Sequence, residues 1–201
     1  MPPALKIRNI LRGLLQAYGT KSVKRRLWNV EFGQGRWDCL DRTLGDCVYP
    51  YVEKYANNGS ILDLGCGSGS TGNELNADKY HDYTGVDISD VAIEKAKKKS
   101  EENCRGGKNR YFQSDFFSYA PTTQYDVILL RDSIYYVAPR SVIPMLNRYA
   151  DHLKKSGVFV VRMMWRGSGK YKSIVDAIQK NFQVVEKYVS DQPEAVVIVF
   201  R

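Results

Sequence analysis

Ile61-Leu62-Asp63-Leu64-Gly65-Cys66-Gly67-Ser68-Gly69-Ser70-Thr71-Gly72 is the stretch on which the fold turns. Four residues of strand character run into closely spaced glycines, and the glycines open a helical pattern near Thr71–Leu75. Glycine takes positive φ without steric cost and has no β-carbon to hold a ligand off the main chain. A turn of this kind at the carboxyl end of a first strand is where open α/β sheets receive ligands.

Outward from the loop the rhythm is regular. Strands are expected at Ile61–Leu64, Asp82–Asp87, Arg110–Gln113, Tyr125–Leu130, Val158–Met163, Val184–Val189 and Ala195–Phe200. Helical patterns at Asp90–Cys104, Arg140–Lys154 and Tyr171–Lys180 lie between them. Ser190-Asp191-Gln192-Pro193-Glu194 is too short for a parallel crossover, so the last two strands pair as a hairpin or lie apart. An alternating series with that ending means an α/β fold: seven strands, mostly parallel, helices on both faces and a C-terminal antiparallel hairpin.

Residues 59–201 form this sheet domain, and residues 1–58 read as a helical extension, a lid packed on it. Ile7, Ile10, Leu11, Leu14, Leu15 and Tyr18 recur at helical spacing, with Lys6, Arg8 and Arg12 off the stripe. The stripe packs on its own domain or lies, as a basic amphipathic helix, on a membrane or partner. Lys21, Lys24, Arg25 and Arg26 read as a solvated face, and Trp28–Asp38 as an ordered loop. A helix is expected from about Asp41 to Ala56, stopped by Asn57-Asn58-Gly59.

With 201 residues, 43% hydrophobic and 26% charged, the composition is globular and large enough for a substantial core. No run approaches the roughly 18 apolar residues of a spanning helix, and the start shows no secretory pattern. Four cysteines without a CxxC pair, and only two histidines, are expected to be reduced thiols in the cytoplasm rather than a zinc site. The balance of 30 Lys+Arg against 22 Asp+Glu, net +8, suits an anionic partner: nucleic acid, an acidic membrane or a negatively charged substrate.

Two cofactor classes fit the glycine loop. Gly67-Ser68-Gly69-Ser70-Thr71-Gly72 satisfies G-x-G-x-x-G, which points to a nicotinamide or flavin dinucleotide. Asp63 argues against it, because a carboxylate two residues before Gly65 would repel a pyrophosphate. The strand also follows about 60 residues of helix and loop, and little chain is left for a substrate domain.

Asp63, Gly65, Gly67 and Gly69 match (D/E)-x-G-x-G-x-G, and with the acidic second-strand end and the strand count, residues 60–201 resemble the class I S-adenosylmethionine-dependent methyltransferase family. That resemblance implies a Rossmann-like fold, S-adenosylmethionine as methyl donor and S-adenosylhomocysteine as product; no metal is expected, because the sequence after the fourth and fifth strands supplies no carboxylate cluster near Asp132. The resemblance places Asp63 toward the cationic amino-acid end, with the backbone of Gly65, Cys66, Gly67 and Gly69 beneath the ligand. Asp87 would hold the ribose hydroxyls, Ile88 an adenine face, and Asp115 and Phe116 the adenine edge. Arg131 and Trp37 count among the cofactor contacts. Arg42, with Arg36 as rival, would clamp the cofactor carboxylate. The competing readings are Asp87 as a helix cap and Asp115 as a turn residue.

The acceptor end follows the fourth and fifth strands. Asp132 is the nearest candidate base, and Tyr135 and Tyr136 could flank a sulfonium or the acceptor. No N/D-P-P-Y sequence occurs here, which disfavours exocyclic-amine nucleic-acid chemistry without excluding nucleic acid. Arg162–Tyr171, with glycines, an aromatic and cations, suits a loop over an anionic small-molecule acceptor. Phe32–Asp38 loosely resembles the lid of small-molecule members such as the nodulation-type amino-sugar N-methyltransferases. The expected activity is methyl transfer to an N or O atom of a sugar, amino sugar, lipid-linked saccharide or secondary metabolite. An RNA-directed methyltransferase, an NAD(P)-dependent oxidoreductase and an inactive cofactor-binding scaffold are the alternatives. Neither His81 nor His152 is expected to be catalytic.

Overall fold

The computed structural model describes residues 3–38, 43–164, 169–191 and 194–201; side chains of 3–10 and 191 are left aside. Seven strands form one sheet in the order β3-β2-β1-β4-β5-β7-β6. They are β1 (Ser60–Leu64), β2 (Asp82–Asp87), β3 (Asn109–Gln113), β4 (Tyr125–Arg131), β5 (Leu153–Met164), β6 (Val184–Asp191) and β7 (Glu194–Phe200). The first five are parallel. β7 lies antiparallel between β5 and β6, so the hairpin reading holds.

Strand order reverses between β1 and its neighbours β2 and β4, which opens a crevice beyond the carboxyl ends of β1 and β4. Period-two alternation builds the two cores that hold these ends rigid. Leu62, Leu64, Ile128 and Leu130 face α6 (Pro139–Ala150) and α7 (Gly169–Asn181) through Leu146 and Ile178. Ile61, Val127 and Leu129 face the opposite side, against Val52 of α3 (Tyr49–Ala56) and Ile93 of α5 (Asp90–Glu102). A short helix, α4 (Ser70–Glu74), follows the glycine loop.

Three local expectations change. Trp28–Gly33 is not loop: it is the last part of α2 (Lys21–Gly33), which Thr20 caps by accepting from the Val23 amide. The loop is confined to the residues after Gly33, where Gly35 takes φ +67°. The helix expected from Asp41 begins only at Tyr49, because Gly45 sits at φ +84° and Pro50 suits a first helical turn; Asp41 itself lies outside the described residues. α6 ends at Ala150 rather than Lys154, because Leu153 is already paired with Tyr125 at the start of β5.

The N-terminal helix α1 (Pro3–Tyr18) forms as its periodicity predicts, but Leu11, Leu14, Leu15 and Tyr18 are exposed. The described part of the stripe, Leu11 to Tyr18, does not pack on the domain. The basic cluster of α2 is also less solvated than expected: Lys21 pairs with Asp115 at 3.1 Å and Arg25 with Asp90 at 2.7 Å.

Candidate functional site

β1 delivers Asp63 to the sheet end, and the chain then turns on Gly65 at φ +86°. A β-carbon at Gly65 would stand 2.5 Å from Ser133 Cβ, so only glycine fits between β1 and the segment after β4. The amides of Gly65 and Cys66 both donate to the Val86 carbonyl, at 2.7 and 3.1 Å, which ties the loop to β2. Gly67, at φ +55°, has only the Phe32 ring near its would-be β-carbon, at 3.5 Å, so its main chain is open to the crevice. Gly69 caps α4 and presses on Ala96 instead of lining the crevice.

The crevice is a cavity of about 650 Å³. Asp63 lies on its floor and is fully buried. Tyr83 donates its hydroxyl to Oδ2, while Oδ1 has no hydrogen-bond partner. Burial and the Asp87 charge push the carboxyl up to about 6, against the pull of the Tyr83 hydroxyl, the Arg131 charge and the nearby Thr71 hydroxyl. A buried acceptor without a donor costs stability unless a ligand supplies one, so this atom marks where a cation would bind.

Asp87 ends β2 and receives the Gly67 amide at 3.0 Å and the Ser89 amide at 2.8 Å, one on each oxygen. Each oxygen keeps a lone pair for a further donor. Burial raises this carboxyl to about 6 as well. It does not cap α5. That role belongs to Ser89, whose Oγ accepts from the Ala92 amide at 3.1 Å.

Ile88, Asp115 and Phe116 line the same cavity. Asp115 is already engaged. Its Oδ1 takes the Phe117 and Ser118 amides, and its Oδ2 takes the Ser118 hydroxyl at 2.6 Å. Burial would raise its pKa, yet these donors and Lys21 hold it below the usual carboxylate range. The turn geometry weighed for Asp115 is therefore present. Cys66 is buried with its thiol pushed well up, which suits a backbone contributor and not a nucleophile.

At the other end, Arg131 leaves β4 and reaches Asp46, the Tyr49 hydroxyl at 3.2 Å and the Thr71 hydroxyl at 3.1 Å. Asp132 adopts φ +51°, an unusual conformation for a residue other than glycine. It is held by the Met164 amide at 3.2 Å and an ion pair with Arg162, which also lies 3.5 Å from Asp46. Burial raises its pKa, against Arg162 and Arg131. Asp132 is thus half of an ion-paired network, not an isolated base. Its partner Arg162, expected to open a loop over the acceptor, lies inside β5 instead, and the more distant Asp46 was not singled out. One signal was present: a charge inside the apolar run Val158–Met164.

An aromatic wall completes the cavity. Trp28 meets Tyr136 edge-on at 4.7 Å and Trp37 at 5.9 Å, and Tyr135 lies 4.7 Å from Tyr136. Trp37 is fixed by its indole N–H, which donates to Glu31 at 2.9 Å. Desolvation pushes the Tyr136 phenol up to about 12. Trp28 and Phe32 are four residues apart on α2 and enter the cavity together; the loop reading of this segment concealed that spacing. Lys21, Lys24 and Gln16 also line it. Arg42 and residues 165–168 lie outside the described residues, so the carboxylate clamp and most of the loop after β5 gain no geometry. Among the described residues, no group of three or more metal-ligating side chains gathers.

Residues 61–157 match the methyltransferase domain family. The chain is 29% identical over 133 residues to the uncharacterized protein YbxB of Bacillus subtilis, covering 64% of this chain and 65% of that one. It is 30% identical over 155 residues to the ribosomal protein L11 methyltransferase of Thermosipho africanus, covering 74% and 52%. The chain thus spans under two thirds of the length of either relative. In fold it is similar to the N-methyltransferase NodS of Bradyrhizobium japonicum, solved with S-adenosylhomocysteine, with TM-score 0.69, 14% identity, and 88% and 97% of the two chains covered.

Proposed function

We propose that this chain, whose residues 61–157 match the methyltransferase domain family, is a class I methyltransferase that binds S-adenosylmethionine and methylates an N or O atom of a small molecule. The unpartnered Oδ1 of Asp63, in the same cavity as the open main chain of Gly67, carries the proposal. It asks for a positively charged donor, which a pyrophosphate cannot be. When bound, S-adenosylmethionine supplies a methyl group on a cationic sulfur.

The chain's own residues do the positioning. Asp63 takes the ammonium end, and Asp87 uses its free lone pairs for ribose hydroxyls. Ile88 and Phe116 cover the adenine. Trp28, Tyr135 and Tyr136 exclude water from the reacting end, where a dry aromatic wall favours a cation and an aligned acceptor. The roof formed by α2 supports a small acceptor over a polymer.

Thermal denaturation with S-adenosylhomocysteine tests the cofactor. At about 100-fold excess over Kd the expected gain is about 2.7 kcal/mol, a melting-temperature rise of about 5–10 °C. A rise with NAD(P) and none with S-adenosylhomocysteine would overturn the reading. RNA binding that weakens steeply with salt would move the acceptor from small molecule to RNA.

A further inference from the structure

The outward face of α1 is its apolar one. Leu11, Leu14, Leu15 and Tyr18 are 56%, 50%, 45% and 59% exposed, at spacing that makes a single stripe. Gln16 and Ala17 are buried, and Arg12 reaches inward to Glu31 at 2.8 Å. The polarity is the reverse of that of a helix packed on a soluble core. Val23 of α2, 40% exposed, continues the patch, its Cγ1 lying 3.2 Å from where a β-carbon at Gly19 would stand.

Charge accompanies the patch. Residues 1–33 carry seven Lys or Arg, from Lys6 to Arg26, against one acidic residue, Glu31; six of the chain's eight net positive charges are therefore in its first 33 residues. We infer that α1 and the start of α2 dock this chain on an anionic lipid bilayer. The helix would lie in the interface with its leucines among the acyl chains and the exposed Lys21, Arg25 and Arg26 at the headgroups, where Lys21 and Arg25 exchange or share their pairing with Asp115 and Asp90. No described helix is long and apolar enough to cross a membrane, which agrees with lying on the surface.

Other occupants fit less well. A second copy meeting this face across a two-fold axis would set one strongly cationic surface against another. RNA would neutralise the cations but leave the leucine stripe in water.

Sedimentation with phosphatidylcholine vesicles, with and without phosphatidylserine, tests the inference on the full chain. Binding is expected only with phosphatidylserine and should fall as salt rises. Leu14→Glu with Leu15→Glu should weaken it by at least about tenfold, and Arg26→Glu several-fold through charge alone. Both variants should keep the wild-type melting temperature, because these side chains are exposed. Binding indifferent to phosphatidylserine or to the leucine substitutions would overturn the inference. So would a dimer in light scattering that the leucine variant dissociates. Vesicle binding needs no cofactor, so a failure of S-adenosylhomocysteine to bind would leave this result standing and fall on the methyltransfer reading alone.

Discussion

Asp63→Asn should make the ligand-free chain more stable and its grip on S-adenosylhomocysteine weaker. Burial lifts the Asp63 carboxyl from 3.8 to about 6, so near neutral pH the ionised group opposes folding by roughly 3 kcal/mol. Asparagine keeps the shape and can still accept from the Tyr83 hydroxyl. Its new N–H₂ takes the place of the unpartnered Oδ1 and gives back about 1–2 kcal/mol as an unsatisfied donor. The expected gain is therefore about 1–2 kcal/mol, or a melting temperature higher by about 2–8 °C. The pH dependence fixes the cause. A carboxyl with a raised folded pKa contributes stability that is fully present below 3.8 and lost as pH rises through about 6. The advantage of the variant should open across that window and vanish at its acidic end. Calorimetric titration should show S-adenosylhomocysteine bound at least about tenfold more weakly, because a charge-assisted hydrogen bond is worth about 1.5–3 kcal/mol. A variant less stable at neutral pH, or a gain undiminished at acid pH, would refute the assignment of Asp63 as a buried charge awaiting a cation.

Gly65→Ala should lower the urea midpoint, since φ +86° costs a side chain at least about 1–2 kcal/mol before the collision with Ser133 is counted; an unchanged midpoint contradicts the close packing. Arg162→Met strands Asp132, while Asp46 keeps Arg131, and should cost about 3–5 kcal/mol, with partial recovery on adding Asp132→Asn; equal stability of the single and double variants would deny the network. Asp115→Asn should lower stability at neutral pH, and the deficit should shrink as pH falls through the depressed pKa of Asp115; a pH-independent deficit would point to lost packing instead. Dialysis against EDTA should leave methyl transfer unchanged, whereas a loss restored by magnesium would install a metal in the mechanism.

The glycine loop, the seven strands and the closing hairpin were legible because each rests on a short-range property. Positive φ at Gly65 and Gly67, the apolar run of β4 and a connection before β7 too short for a crossover are all fixed within a few residues. Asp63 and Asp87 could be placed for the same reason, since a strand end after a known number of residues falls at the sheet edge. The helix through Trp28–Gly33 was not legible, because Trp28 and Phe32 face a ligand cavity and so lack the apolar neighbours that mark a helix packed on a core.

Sequence alone determined the run of strands and helices and put Asp63 and Asp87 at strand ends, because backbone geometry and hydrophobic periodicity act locally; the strand order came only from the tertiary structure. Tertiary structure alone decided that Arg131 and Arg162 neutralise Asp46 and Asp132 across separations of up to 116 residues. It alone decided, too, that the apolar stripe of α1 points outward. Periodicity states that a helix has two unlike faces, but which of them turns inward depends on what the rest of the chain offers it: here, the buried carboxylate of Glu31 for Arg12.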